Sequence, residues 1–326
     1  MRIQPGKIMC AIDFSDFTHM IVSHGKSLAK EFHAKLYLCH IIPTLMVSGP
    51  MSSLIDYTGI ENEHINHARE RLEKIIKEFD IQCDIMISVG NPADEIDQIV
   101  RENKIEVVIA ATNGGSGVIR FLTGSVTNKL IKILPCPLLV LHAKEDGSIS
   151  RMEKGISLNR ILVGCDFSLD SKLAFDWALS LAQEFQARLY LAHVAGLTKP
   201  VEFMMSDPVI LHDSQFPGWT GPGYSEPGGE STEEATQKRN QRSKQIETRL
   251  LEMVPEDSRN WCTPNTVVLS GQPYQELIDY AATIDADMIV LGVRGHSLLE
   301  QFLVGSTTDR VISRASCSVL AVRQIS

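Results

Sequence analysis

The sequence is written twice. "KIMCAIDFSD" from Lys7 and "RILVGCDFSLDS" from Arg160 align Asp13-Phe14-Ser15 with Asp166-Phe167-Ser168, 153 positions apart. At the same spacing "AKLYLCHII" from Ala34 meets "ARLYLAHVA" from Ala187. Further on the spacing grows to 181: "VGNPADEI" from Val89 meets "SGQPYQEL" from Ser270, and Cys136 meets Cys317. A self-similar chain of 326 residues reads as two copies of one domain, each of roughly 150 residues and large enough for its own core. The change of spacing places an insertion in the second copy at about 196–231, rich in Gly and Pro toward its end. A lid, a partner surface or a plain loop would each suit it. The polar stretch Lys144–Asn159 reads as the linker. The expected domains are therefore 1–145 and 158–326.

Within each copy, short apolar runs alternate with longer amphipathic ones. In copy one the expected strands are Lys7–Asp13, Lys35–Ile42, Asp84–Val89, Val107–Thr112 and Pro137–His142. Helical patterns lie near Asp16–Phe32, Ile60–Phe79, Pro92–Asn103 and Gly124–Ile133. Alternating β and α predicts an α/β fold with a mostly parallel sheet covered on both faces. Pro92 and Pro273 suit the first turn of a helix, where a missing N–H does no harm.

Bulk properties exclude several classes. The net charge of −9 argues against a nucleic-acid surface, which needs clustered Lys and Arg. Small anions stay allowed, because backbone N–H groups bind them in an acidic protein. Seven scattered cysteines without a Cys-x-x-Cys pair suggest a reduced compartment. No leader or apolar run of membrane length is visible, so a cytoplasmic location is expected.

The stretch "LGVRGHSLLEQFLVGSTTDRV" from Leu291 spaces Gly292, Gly295 and Gly305 by three and ten, and Ser306 follows. "AATNGGSGVIRFLTGSVTNKL" from Ala110 repeats it with Ala111 in the first glycine's place, and keeps Gly114, Gly124 and Ser125. Each stretch leaves an apolar strand and ends at a helix start. Such a helix N-terminus carries free N–H groups and partial positive charge, which suits phosphate. Glycine lets a backbone approach an anion closely. Ser306, Thr307 and Thr308 offer hydroxyls, and Arg294 and Arg310 offer charge; Asn113 and Lys129 stand in the equivalent places of copy one. Plain turns with an ordinary Ser cap are the alternative.

Other phosphate motifs fail. "HGKSLAK" at His24 has Met20 where a P-loop needs its first Gly, and it lies within a helical pattern. No strand-borne Gly-x-Gly-x-x-Gly is present. "GGSGV" at Gly114 has the wrong spacing for a nucleophile elbow.

With these residues assembled, the chain resembles a tandem universal stress protein, two UspA-type domains in one polypeptide. Gly-2x-Gly-9x-Gly-[Ser/Thr] is that family's ATP-binding signature, intact in copy two. The resemblance implies an adenine nucleotide alpha hydrolase-like fold, a five-stranded parallel sheet of order 3-2-1-4-5. It implies that Asp166 and Asp13 contact the adenosine end and that Val194 or Ile41 lies against adenine. It also implies that domains pair through their last strands, here within one chain, with a homodimer left open. The implied site is Asp166, Val194, Gly292, Arg294, Gly295, Gly305, Ser306, Thr307 and Thr308. Its counterpart in copy one is Asp13, Ile41, Gly114, Gly124, Ser125, Val126 and Thr127. The implied ligand is ATP, alone or with Mg, in a regulatory stress-response protein without evident catalytic residues. A nucleotide-free interaction scaffold, and a slow ATPase or an enzyme on an adenylated compound, are the alternatives. Ala111 ranks copy two first: a positive φ at 111 would strain Ala, whereas a negative φ would make it harmless.

The remaining candidates are histidines. His40 and His193 are equivalent, each at the exit of the second strand, as polar strand ends or as site-lining groups. His64 and His67 are three apart on a helix beside Glu61 and Glu63, a spacing able to hold a metal but read as an exposed polar face. His296 lies inside the glycine stretch, either as a contact to the expected phosphate or as an ordinary loop residue.

Overall fold

The computed structural model describes residues 3–44, 57–112, 124–142, 156–196, 232–295 and 304–323. The linker's first part, most of the insertion, Asn113, Gly114 and His296 lie outside the described residues.

The first half runs β1 (Lys7–Ala11), α1 (Thr18–Phe32), β2 (Lys35–Pro43), α2 (Tyr57–Phe79), β3 (Cys83–Gly90), α3 (Pro92–Asn103), β4 (Val107–Ala111), α4 (Ser125–Ile133) and β5 (Leu138–Leu141). The second half repeats it: β6 (Arg160–Gly164), α5 (Leu169–Phe185), β7 (Arg188–Ala195), α6 (Thr232–Glu252), β8 (Asn265–Ser270), α7 (Pro273–Thr283), β9 (Met288–Gly292), α8 (Ser306–Arg314) and β10 (Ser318–Val322). All ten strands form one sheet, in the order β3-β2-β1-β4-β5-β10-β9-β6-β7-β8. Each half is thus parallel with order 3-2-1-4-5, as the resemblance implies.

The halves meet at β5 and β10, which pair antiparallel with Leu139 opposite Leu320 and Val140 opposite Val319. The apolar runs explain this sheet. "LLVL" in β5 is buried on both faces, as strands between two helical layers must be. Ile8, Cys10, Leu139, Ile161 and Leu320 point to one core. Met9, Val140, Leu162 and Val319 point to the other. Each core runs unbroken across the seam. No described helix is long and apolar enough to cross a membrane.

The expected strand and helix ends of the first half shift by up to three residues. Strand β1 ends at Ala11 rather than Asp13, because Asp13–Ser15 forms a turn in which Asp13 Oδ1 accepts from the Ser15 amide at 3.0 Å. Helix α5 starts two residues earlier than α1 relative to the repeat. Ser168 Oγ caps it by accepting from the Ser171 amide at 3.2 Å. Before α1, Ser15 Oγ instead accepts from Phe17 at 3.3 Å.

The "HGKS" stretch lies within α1. His24 is buried with Nδ1 2.9 Å from the Met20 carbonyl, and Gly25 packs against the Cys10 sulfur. Cys10, Cys39, Cys136 and Cys165 are buried free thiols, and burial raises their pKa, which keeps them protonated.

Two buried histidines set an acid limit on stability. His24 is one; His142, at the seam, places Nε2 2.6 Å from the Ile312 carbonyl. Burial lowers both pKa values below 6.5, so the folded protein keeps both neutral. Below pH 6.5 the unfolded chain takes up protons that the folded one refuses. Stability from this source is therefore complete above that pH and declines as the pH falls below it. Urea midpoints measured across this window are expected to fall with pH, and less steeply in a His24→Asn, His142→Asn variant. An unaltered slope in that variant would assign the decline to other groups.

Candidate functional site

At the carboxyl ends of its strands, each half opens a cleft between the β1 or β6 exit and the start of α4 or α8. The second cleft has a volume of about 360 Å³, and Asp166, Val194, Gly292, Arg294, Gly295, Gly305, Ser306, Thr307 and Thr308 all line it. The first is nearly equal at about 330 Å³, lined by Asp13, Ile41, Gly124, Ser125, Val126 and Thr127. Residues more than a hundred positions apart in sequence thus share one wall in each half.

One end of each cleft is a helix start. Gly305 is the N-cap of α8 and Gly124 that of α4, and neither has a side chain to cap with. The first helical bond back to the cap comes from Asp309 in α8 and Asn128 in α4. The amides of Ser306–Thr308 and Ser125–Thr127 precede it and have no helical carbonyl to reach. They supply donors and partial positive charge at the cleft.

Thr308 does not offer the cleft the hydroxyl expected of it, and Thr127 follows the same pattern. Thr308 Oγ1 donates to the Gly292 carbonyl at 2.7 Å and Thr127 Oγ1 to the Ala111 carbonyl at 2.9 Å. Both are buried. Their hydroxyls tie the helix start to the end of the strand, while their amides stay on the cleft.

The other end of each cleft is the aspartate turn. Asp166 Oδ1 accepts from the Ser168 amide at 2.9 Å, and the Asp166 amide donates to Ser171 Oγ at 3.1 Å. Beside it stands a histidine: His193 Nδ1 is 2.7 Å from the Cys165 carbonyl, and His40 Nδ1 is 2.8 Å from that of Ile12. A carbonyl only accepts, so in each ring Nδ1 carries the hydrogen. Both histidines line their clefts. Burial lowers the His40 pKa, and the nearby Arg71 adds to this against the opposing pull of Asp13 and the Ile12 bond.

The first glycine of the signature has a packing reason. A Cβ on Gly292 would stand 2.7 Å from the Asp170 carbonyl carbon and 2.8 Å from the Ser171 nitrogen. The early start of α5 brings that backbone close. Neither Gly292 nor Ala111 has a positive φ. Ala111 is therefore the harmless case, and the first cleft remains open beside it.

Charged groups divide the halves. Arg294 gives its amide and its Nε to one oxygen of buried Asp170, at 3.0 and 3.2 Å. Phe17 holds the equivalent of position 170 in the first half. Lys129 pairs with Asp94 on α3 at 2.7 Å, and the Arg310 guanidinium lies 4.9 Å from the centre of the Tyr274 ring. His64 and His67 are exposed, and no group of three or more metal-binding side chains occurs among the described residues. Asp170, Arg71 and Arg249 were not legible as site-supporting residues. Only the last two had a sequence signal, the pair Arg71-Leu72 recurring as Arg249-Leu250.

The sequence profile of the universal stress protein family matches residues 5–142, 157–202 and 209–323. A curated universal stress protein of Methanocaldococcus jannaschii is 27% identical over 140 residues, covering 41% of this chain and 81% of its own. One from Bacillus subtilis is 27% identical over 147 residues, covering 42% and 98%. The crystal structure of a universal stress protein from Archaeoglobus fulgidus superposes over 99% of this chain and 100% of its own, with a TM-score of 0.67 at 16% identity, a likeness of fold. With matches running through both halves, and a ten-stranded sheet that repeats the order 3-2-1-4-5, the chain belongs to the universal stress protein family as a tandem member.

Proposed function

We propose that the protein binds ATP, with or without Mg, in the cleft of its second half, and acts as a regulatory stress-response protein in the cytoplasm. The observation that carries this is the start of α8, capped only by a glycine and opening on the same cleft as Asp166. In this reading the amides of Ser306, Thr307 and Thr308 take the phosphates. Gly295 and Gly305 let the backbone come close, and Arg294 borders the phosphate path. Asp166 takes the ribose hydroxyls, and Val194 packs on adenine. The first half offers the same parts in Asp13, Ile41, Gly124, Ser125, Val126 and Thr127, and Gly114 belongs to the same set. The intact signature keeps the second cleft first in rank. Since Ala111 sits without backbone strain, a second, weaker molecule in the first cleft is part of the reading.

Regulation requires that the nucleotide favour one state of the protein over another. Part of the insertion at about 196–231 leads directly out of β7, which carries Val194. In this reading the insertion reports occupancy to a protein partner. The test is extraction of small molecules from the purified chain, followed by calorimetric titration with ATP. Co-purified ATP, and one tight and one weaker site per chain, are the expected results. Co-purified ADP or AMP would favour a slow ATPase or an enzyme on an adenylated compound. An empty protein that takes up no added ATP would favour a nucleotide-free scaffold.

A further inference from the structure

The residue after each cleft aspartate is a phenylalanine in the left-handed region: Phe14 at φ 60° and Phe167 at φ 66°. Bulky residues rarely hold this conformation, so something must over-determine it. The surroundings are the same in both halves. The Arg71 guanidinium lies 3.9 Å from the centre of the Phe14 ring, and Arg249 lies 3.9 Å from that of Phe167. Each arginine precedes a fully buried leucine, Leu72 or Leu250, which fixes its place on α2 or α6. The His40 ring lies 4.3 Å from Phe14 and the His193 ring 5.1 Å from Phe167.

Each histidine therefore holds both neighbours of its aspartate. Its Nδ1 donates to the carbonyl of the residue before, Ile12 or Cys165. Its ring meets the phenylalanine after. With those two residues held, the carboxylate between them has its direction set. We propose that His40 and His193, together with Arg71 and Arg249, are positioning residues that clamp the left-handed turn and so aim Asp13 and Asp166 into their clefts. The effect on nucleotide affinity rests on the ATP reading above; the clamp itself does not.

Two sets of variants test this in the full chain: His40→Leu with His193→Leu, and Arg71→Leu with Arg249→Leu. The second set changes exposed arginines and keeps the fold safe if the first does not. Without ligand, hydrogen exchange at the Ser15 and Ser168 amides, which bond to the aspartates, should quicken at least tenfold in the histidine set. In the arginine set it should quicken by about three- to fivefold, the size of an exposed cation–π contact. Arg71→Lys with Arg249→Lys should restore part of the protection. ATP affinity should fall in the same order, and should fall no further when Asp13→Asn and Asp166→Asn are already present. Unchanged amide protection in both sets would overturn the clamp. An affinity loss that persists in full without the aspartates would overturn its action through them. A wild-type chain that binds no ATP would sink the function reading alone, since amide exchange still decides the clamp.

Discussion

Replacing Gly305 by Asp is expected to abolish ATP binding in the second half, by a hundredfold or more, at almost no cost in stability. Gly305 is the N-cap of α8 and has no side chain with which to cap the first amides of the helix. An aspartate there would accept one of those amides itself, which alters helix stability by only a few tenths of a kcal/mol relative to Gly. Its Cβ would lie 3.3 Å from the Val293 carbonyl oxygen, tight enough to cancel that gain. Binding moves far more. A phosphate loses a charge-assisted bond of about 1.5–3 kcal/mol and meets a carboxylate at close range. Titration should show the tighter site gone and a melting temperature within a few degrees of the parent. Undiminished affinity would place the nucleotide elsewhere. Gly124→Asp is the matching change in the first half. There the Cβ would stand 2.9 Å from the Thr112 carbonyl oxygen, so some backbone movement accompanies it.

Asp170→Ala is expected to be the more damaging change to the fold. Asp170 is 4% exposed, and its carboxylate holds both the amide and the Nε of Arg294. Its removal should cost about 3 kcal/mol, the lower end for breaking a buried pair. The lower end applies because Arg294 keeps 27% of its side-chain surface in water. Asp170→Asn retains an acceptor for the Arg294 amide and should lose about half as much. Urea unfolding of the three proteins checks this ranking. Equal stabilities would mean that the pair contributes nothing. The loss should also weaken ATP binding, since Arg294 and Gly295 themselves line the cleft.

The fold was legible because the repeat doubles every signal. Two copies of a β-α alternation, each apolar on both strand faces, leave few arrangements other than a parallel sheet between helices. The glycine stretches were legible because each follows a strand end, and the aspartates joined them only through the family resemblance. Their separate duties were not. A threonine at the third helical position looks like a ligand donor in sequence, yet Thr308 turns back to the Gly292 carbonyl. Gly292 lines the cleft as expected of a signature glycine, but the sequence did not show that α5 backbone also packs where its Cβ would stand. Asp170 left no trace because its counterpart is Phe17, so the repeat gives no match. Arg71 and Arg249 recur at a spacing between the two that organise the rest, which hides them from either alignment.

The antiparallel meeting of β5 and β10 has a consequence beyond joining the halves. It turns the strand ends of one half away from those of the other, so the two clefts open in opposite directions and no single small molecule spans both. It also occupies the strand edge through which separate domains of this kind are implied to pair. A further copy of the chain must dock elsewhere, with β3 and β8 as the sheet's outer edges. And because the two halves are encoded separately, one can change without the other. The Asp170–Arg294 pair is already such a change: a symmetric assembly of identical subunits would have to carry it in both sites or in neither.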